Sequence, residues 1–349
     1  RGMIGPAESI PSISGIASDD RAKVNNATLR NRGWELSVSW NDKLKCGFSY
    51  GIGFNVFNYK AVVTKYNNPE GIIYNNHTGL AANKGYYEGM DIGEIWGYRA
   101  DDLFLSNREI DDYLRNVNLT AFKSNDLWRR GDLKYIDSNG DGRVDGGKGT
   151  LADHGDLQII GNTTPKYSFG INLNLGYKGF EISTLLQGVA KRDFPISGSN
   201  YMFGGNNYNF KEHLDYFSTE NPNGYLPRLT GWKDDKDFLV NTGYNTTRYL
   251  LNAAYMRMKN LTVGYTFNKK QLRHIGISNL KVYVTCDNLF TVTKLPKQFD
   301  PETLNQVNMS AGGDAQNTAP GLTSPMKQNG NGMVYPMNRN FVFGLDFTF

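Results

Sequence analysis

The stretch Phe341-Val-Phe-Gly-Leu-Asp-Phe-Thr-Phe349 alternates with a period of two. Phe341, Phe343, Leu345, Phe347 and Phe349 fall on one face, and Val342, Gly344, Asp346 and Thr348 on the other. Such a strand needs neighbours for its backbone groups and cover for its apolar face. A soluble sandwich supplies both by stacking a second sheet on the aromatic face. An outer-membrane barrel turns that face to lipid and removes open edges by closure. The rest of the chain decides between the two.

Composition leans toward the barrel. The 349 residues carry 38 basic against 34 acidic side chains, a net charge of +4 that is too mild for a nucleic-acid partner. Aromatics reach 13% and Gly numbers 39, yet mean hydropathy is −0.52 and no run of about 18 apolar residues offers a helical span. Amphipathic strands joined by polar loops fit that balance. Cys46 and Cys286 each fall on the apolar face of an expected strand and read as small apolar side chains, with a disulfide left open.

Moving outward, Trp34, Leu36, Val38 and Trp40 alternate with polar residues up to a turn expected at Asn41-Asp42-Lys43. Leu44, Cys46, Phe48, Tyr50, Ile52, Phe54 and Val56 then alternate with Lys45, Gly47, Ser49, Gly51, Gly53 and Asn55. That run exceeds the soluble mode of about 5–6 residues and suits a tilted membrane strand of about 9–11. Residues 58–165 read as a long connection with one helix, capped by Ser106 and Glu109. Lys166 to Tyr177 alternates again, turns at Lys178-Gly179 and returns through Phe180, Ile182, Thr184 and Leu186. Tyr167 and Tyr177 lie roughly 33 Å apart along a strand. Tilted, that spans about the 25 Å apolar band between aromatic girdles.

Residues 190–248 form a second loop, with a helix expected at Asn209 to Phe217. A strand from Tyr255 to Phe267 puts Leu261, Val263, Tyr265 and Phe267 on one face, with Arg257 and Lys259 further up the same face, beyond the lipid. A short helix from Asn268, boxed with Gln271 and stopped at Gly276, leads to Leu280, Val282, Val284 and Cys286. A third loop precedes the final strand. Short and long connections alternate, as in an outer-membrane meander. Seven membrane strands cannot close a wide barrel, so residues 1–349 read as part of one larger barrel domain.

Four stretches resemble a known family. They are Asn31-Arg-Gly-Trp-Glu-Leu36; Gly131-Asp-Leu-Lys-Tyr-Ile-Asp-Ser-Asn-Gly-Asp-Gly142 with Ile159-Ile-Gly161; Lys166-Tyr-Ser-Phe-Gly170 with Tyr177-Lys-Gly-Phe180; and Ala254-Tyr-Met-Arg-Met-Lys-Asn-Leu-Thr-Val-Gly-Tyr265 with Asn288-Leu-Phe290. Together with the terminal Phe349 they are similar to the SusC/RagA-like TonB-dependent outer-membrane transporters. The resemblance implies the C-terminal third of a 22-stranded antiparallel barrel, whose plug lies outside this chain. It also implies a SusD-like lipoprotein lid, TonB-driven uptake of an oligosaccharide or peptide, and the outer membrane of a Gram-negative bacterium. The alternatives are an iron-chelate receptor in the same setting and a calcium-stiffened adhesin or structural barrel.

Asp137, Asn139, Asp141 and Gly142 have the spacing of an oxygen-ligand calcium loop, with the Arg143 carbonyl next. The twelfth position is Lys148, so Asp145 or Asp153 would substitute; the family resemblance points to Asp156. The competing reading is a polar turn of Asx hydrogen bonds. Trp96, Tyr98, Trp128, Tyr201, Phe203, Tyr208 and Trp232 lie in the loops, where aromatic faces stack on sugar rings or grip peptide side chains. The competing reading has them packing the loops or touching a lid. Gly47-Phe-Ser-Tyr-Gly51 matches a hydrolase elbow, but alternation runs straight through it. His77, His154, His213 and His274 are scattered, and no catalytic constellation emerges. The inward residues Ser168, Gly170, Asn172, Asn174, Gly176, Asn260, Thr262, Gly264 and Thr266 suit a wet lumen.

Overall fold

The computed structural model describes residues 2–6, 23–73, 86–100, 102–196, 211–230, 239–272, 277–304 and 337–348. Its strands are β1 (Gly2–Pro6), β2 (Lys23–Lys43), β3 (Ser49–Tyr66), β4 (Glu94–Gly97), β5 (Asp102–Leu103), β6 (Leu133–Lys134), β7 (Gln158–Asn162) and β8 (Lys166–Tyr177). They continue as β9 (Phe180–Lys191), β10 (Asp193–Pro195), β11 (Leu250–Asn252), β12 (Tyr255–Phe267), β13 (Asn279–Asp287), β14 (Thr291–Thr293) and β15 (Asn340–Thr348). Helix α1 spans Asn107–Leu114. One sheet runs in the order β1-β2-β3-β8-β9-β12-β13-β15, with β14 also on β12. Its pairs are antiparallel and β2 is 21 residues long. The seven long strands expected are all there.

Register carries the apolar face from strand to strand without a break. Val38 pairs with Phe54, Phe54 with Ile171, Ile171 with Leu186; across the other half Val263 pairs with Val284 and Val284 with Phe343. This face is open: Trp34 is 51% exposed, Trp40 64% and Phe343 80%. An apolar band of that extent on a protein in water would be an aggregation site, whereas in a bilayer it is the solvated surface. Aromatic rings gather at both rims. Trp34 lies 6.4 Å from Tyr167 at one, and Phe48 6.4 Å from Tyr177 and Phe180 4.6 Å from Tyr265 at the other. Both tyrosines of the length argument thus stand at girdle positions. No helix among the described residues is long and apolar enough to cross a membrane.

The short connections share one end. Lys178 (φ 47°) and Gly179 (φ 93°) both take left-handed dihedrals, as a two-residue type I′ hairpin requires. The first turn lies later than expected. Asn41, Asp42 and Lys43 still pair with Gly51, Tyr50 and Ser49, and the reversal occupies 44–48, closed by the Leu44 N–H on the Phe48 carbonyl at 2.8 Å. Gly47 supplies the φ of +83° it needs. Cys46 therefore stands exposed in a turn, not on a strand face, while Cys286 pairs with Phe341 as read; both are free thiols.

Three other expectations are corrected. β3 continues to Tyr66, eating into the connection expected from residue 58. A register shift between Met258 and Asn260 inserts one extra residue, Lys259, so Met256 and Met258 join the lipid side and Arg257, paired with Gln187, turns inward. Its trace in the sequence is the change of phase from Met256 and Met258 to Leu261 and Val263. The helix expected from Asn209 is a 3-10 turn at Lys211–Leu214, and residues 209–210 lie outside the described residues. The box after β12 forms reciprocally, Asn268 N–H to Gln271 Oε1 at 2.9 Å and Gln271 N–H to Asn268 Oδ1 at 3.0 Å. Gly276 and Phe349 lie outside the described residues.

The hydrophobic core lies in the loops and not in the sheet. Phe104, Leu119, Leu133 and Tyr135 from the first long loop pack with Phe194, Val240 and Tyr249 from the second and Leu295 and Phe299 from the third. The sheet cannot host a core, because one face meets lipid and the other a polar interior. All three connections therefore bury their apolar residues against one another above it.

Candidate functional site

Two surfaces are candidates: the inward wall of the sheet and the loop cluster above it. The wall is a hydrogen-bonded lattice of small polar groups. Ser183 Oγ donates to Asn174 Oδ1 at 2.7 Å, Asn260 Nδ2 to Asp287 Oδ1 at 3.0 Å, and the hydroxyls of Thr262 and Thr285 meet at 2.9 Å. Lower on the same face Lys281 Nζ reaches Glu181 Oε2 at 2.5 Å. Larger side chains lie across glycines of the adjacent strand. A Cβ on Gly170 would come 2.5 Å from Asn55 Oδ1, and one on Gly176 equally close to Ser49 Oγ. The wall is thereby kept thin and wettable. Ser49 is the first residue of β3, with a strand and no helix after it, so the elbow a hydrolase serine needs does not form.

The loop cluster is pinned by buried charge. Asp132 Oδ2 accepts from Lys123 Nζ at 2.7 Å and from the Arg129 N–H at 2.8 Å. Its Oδ1 accepts from Arg228 Nε at 2.6 Å and Asn241 Nδ2 at 2.9 Å. Lys123 also lies 4.5 Å above the Trp128 ring. One carboxylate thus ties the first loop to the second. A second knot ties the third loop to β12: Arg257 donates to Asp300 Oδ2 at 2.8 Å and to Glu302 Oε2 at 2.7 Å, and Lys259 reaches Glu302 at 2.9 Å. Burial alone would raise the Asp300 carboxyl, but the Arg257 hydrogen bond and the Met337 and Glu302 amides win and lower it. Arg192 spans loops too, donating to the carbonyls of Thr163, Pro301 and Leu304. Sequence reading missed these knots, whose partners lie up to 109 residues apart, as Asn241 and Asp132 do.

The six expected calcium ligands fall together in one loop but face the backbone. Asp137 accepts from the Gly140 and Gly142 amides at 2.6 and 2.8 Å, Asn139 from Asp141 at 2.9 Å, and Asp141 from Arg143 at 3.0 Å. Asp145 accepts from Gly147 at 2.7 Å. Asp156, 2% exposed, closes the loop by accepting from the Ser138 and Asp145 amides at 2.7 and 2.9 Å. Burial is the main cause that raises its carboxyl above the ordinary range, and the neighbouring Asp137 adds to it. The Arg143 side chain lies 3.3 Å from Asp141 and 3.1 Å from Asp145. The hard oxygen donors suit calcium chemically. As placed, however, no three His, Cys, Asp or Glu side chains converge on one point among the described residues.

The aromatic candidates divide. Trp96, Tyr98 and Trp128 are buried and pack the loop core: Trp96 donates to the Tyr87 hydroxyl at 3.3 Å, Tyr98 meets Phe122, Tyr135 and Tyr244 edge-on, and Trp128 meets Phe104. Their apolar area goes into packing the loop core, the competing reading of the sequence, and the Tyr98–Tyr244 contact bridges the first and second loops. Tyr201, Phe203, Tyr208 and Trp232 lie outside the described residues.

Comparison with known proteins agrees with this architecture. No family model matches the chain. It is 25% identical over 343 residues to TonB-dependent receptor P3 of Formosa agariphila, covering 97% of this chain and 30% of the relative. It is 21% identical over 290 residues to TonB-dependent receptor SusC of Bacteroides thetaiotaomicron, covering 81% of this chain and 25% of the relative. The chain therefore spans less than a third of the length of these relatives. Among solved structures, a chain of the RagAB peptide transporter superposes with a TM-score of 0.59 at 18% identity, over 97% of this chain and 31% of that one. The same importer in its open-open state gives 0.61 over the whole of this chain and 31% of that one. The resemblance to SusC/RagA-like transporters is thus shown by sequence and by fold, and the sheet is of the barrel kind.

Proposed function

We propose that this chain forms part of the barrel wall and the loop cluster of a TonB-dependent importer in the outer membrane of a Gram-negative bacterium. The cargo is a bulky polar nutrient, oligosaccharide or peptide. The observation that carries the reading is the two-faced sheet with its core displaced into the loops. Lipid outside and a polar passage inside explain both faces, and the buried knots hold the entrance in shape. The relatives named as receptors and the neighbours named as a peptide transporter support the same reading. The whole barrel would have 22 strands and work with a SusD-like lipoprotein and TonB. Deleting the gene and following uptake of labelled oligosaccharide and peptide mixtures tests this. Loss of one class names the cargo, and unchanged uptake of both overturns the proposal.

Calcium belongs to this proposal as a stiffener of the loop from Asp137 to Asp156. Each carboxylate there keeps lone pairs beyond those its amides use, and a cation would relieve the repulsion between Asp137 and Asp156. Calorimetric titration of the full-length protein should show calcium-dependent heat that the Asp137→Asn, Asp141→Asn variant loses. Equal heats in the two forms would remove calcium from the account.

A further inference from the structure

We propose that the lipid-facing rim on the loop side, at Arg32 and Lys60, holds the phosphate-bearing headgroup of an outer-leaflet lipid. The inference rests on the barrel-wall reading and goes beyond it.

Arg32 pairs directly with Lys60, Trp34 with Asn58 one step below, and Leu36 with Val56 below that. The register is unbroken from Leu29 to Lys43, so both cations share the face of the exposed tryptophan. Arg30, paired with Val62, stands one step higher on that face. Lys65, paired with Thr28 beyond a register shift, adds a fourth cation at the same end. All four are exposed.

Like charges directly opposite on two strands repel, and a sheet ordinarily places a carboxylate there. Several other cations at that end of the sheet do find a carboxylate, supplied by the loops. Lys166 reaches Asp91 at 3.6 Å, Arg257 reaches Asp300 at 2.8 Å and Lys259 reaches Glu302 at 2.9 Å. Arg32 and Lys60 have no carboxylate partner among the described residues. Nothing among the described residues supplies their counter-charge, and a lipid phosphate would. They stand about 7 Å along the strand from the Trp34 girdle, at the depth where lipid phosphates lie. A guanidinium and an ammonium side by side offer a forked donor and a point charge to one phosphate. A lipid headgroup fits this better than a free anion, because its acyl chains would lie along Leu36, Val38 and Phe54 below.

The test uses the full-length protein in detergent and native mass spectrometry with lipid A as probe, either phosphorylated or with its phosphates removed. The wild type should retain the phosphorylated form and release the phosphate-free one. Each of Arg32→Gln and Lys60→Gln should weaken retention about fivefold, and the pair about 25-fold. The pair Lys45→Gln, Lys178→Gln at the opposite rim should leave it unchanged. Equal retention of the two lipids by the wild type overturns the inference even where a variant fails to assemble. Displacement by an equal concentration of inorganic phosphate would mean a free-anion site and also overturns it. Uptake separates the two readings: lipid-blind binding with intact uptake sinks this inference alone, while loss of membrane insertion sinks the barrel reading.

Discussion

Lys123 and Asp132 form an ion pair at 2.7 Å in which neither side chain has any solvent exposure. Arg228 and Asn241 share the same carboxylate, so one residue of the first long loop fixes the position of the second. Buried charge is expensive, and its worth is measured by what happens when one partner goes.

Asp132→Ala should destabilise the loop cluster by about 3–5 kcal/mol, since Lys123 and Arg228 are left without a counter-charge. Replacing the pair together, as Lys123→Met with Asp132→Leu, should recover part of that loss. Limited proteolysis of the assembled protein measures both. Equal sensitivity of the single variant and the wild type would show that the pair does not hold the loops.

Val38 and Ser39 are neighbours on opposite faces of β2, opposite Phe54 and Gly53. Val38→Arg should cost about 2–4 kcal/mol of folding free energy in vesicles, because an arginine would lie at mid-bilayer depth. Ser39→Arg points into water and should cost far less. Refolding titrations into vesicles compare them. The reverse order would turn the sheet inside out.

Cys46 lies exposed in the turn at the short-connection end, and Cys286 lies against Phe341 in the apolar face. A membrane-impermeant maleimide should label Cys46 from the periplasmic side and leave Cys286 untouched. Labelling of Cys46 on intact cells would reverse the assigned orientation.

Asp300 has its carboxyl lowered by Arg257 and two backbone amides against the opposing pull of burial. A lowered folded value means that the carboxylate contributes stability above its unfolded value of about 4. That contribution is lost as pH falls through the lower folded value. Melting in detergent from neutral pH to pH 3 should therefore drop more steeply for the wild type than for Asp300→Asn. Parallel curves would exclude a role for this carboxylate in acid lability.

Alternation in the amino-acid sequence determined the long strands, their two faces and which connections are short, because a period of two is a local property that lipid on one side and water on the other both enforce. The Lys178-Gly179 hairpin and the Asn268–Gln271 box were legible for the same reason: their partners lie within three residues. Only tertiary structure decided that Lys259 is a bulge that turns Arg257 inward, that Trp96, Tyr98 and Trp128 are core, and that Asp132 gathers Lys123, Arg228 and Asn241. Each depends on groups far apart in the chain meeting in a water-poor interior, where pairing and packing are set by what arrives opposite and not by what stands beside.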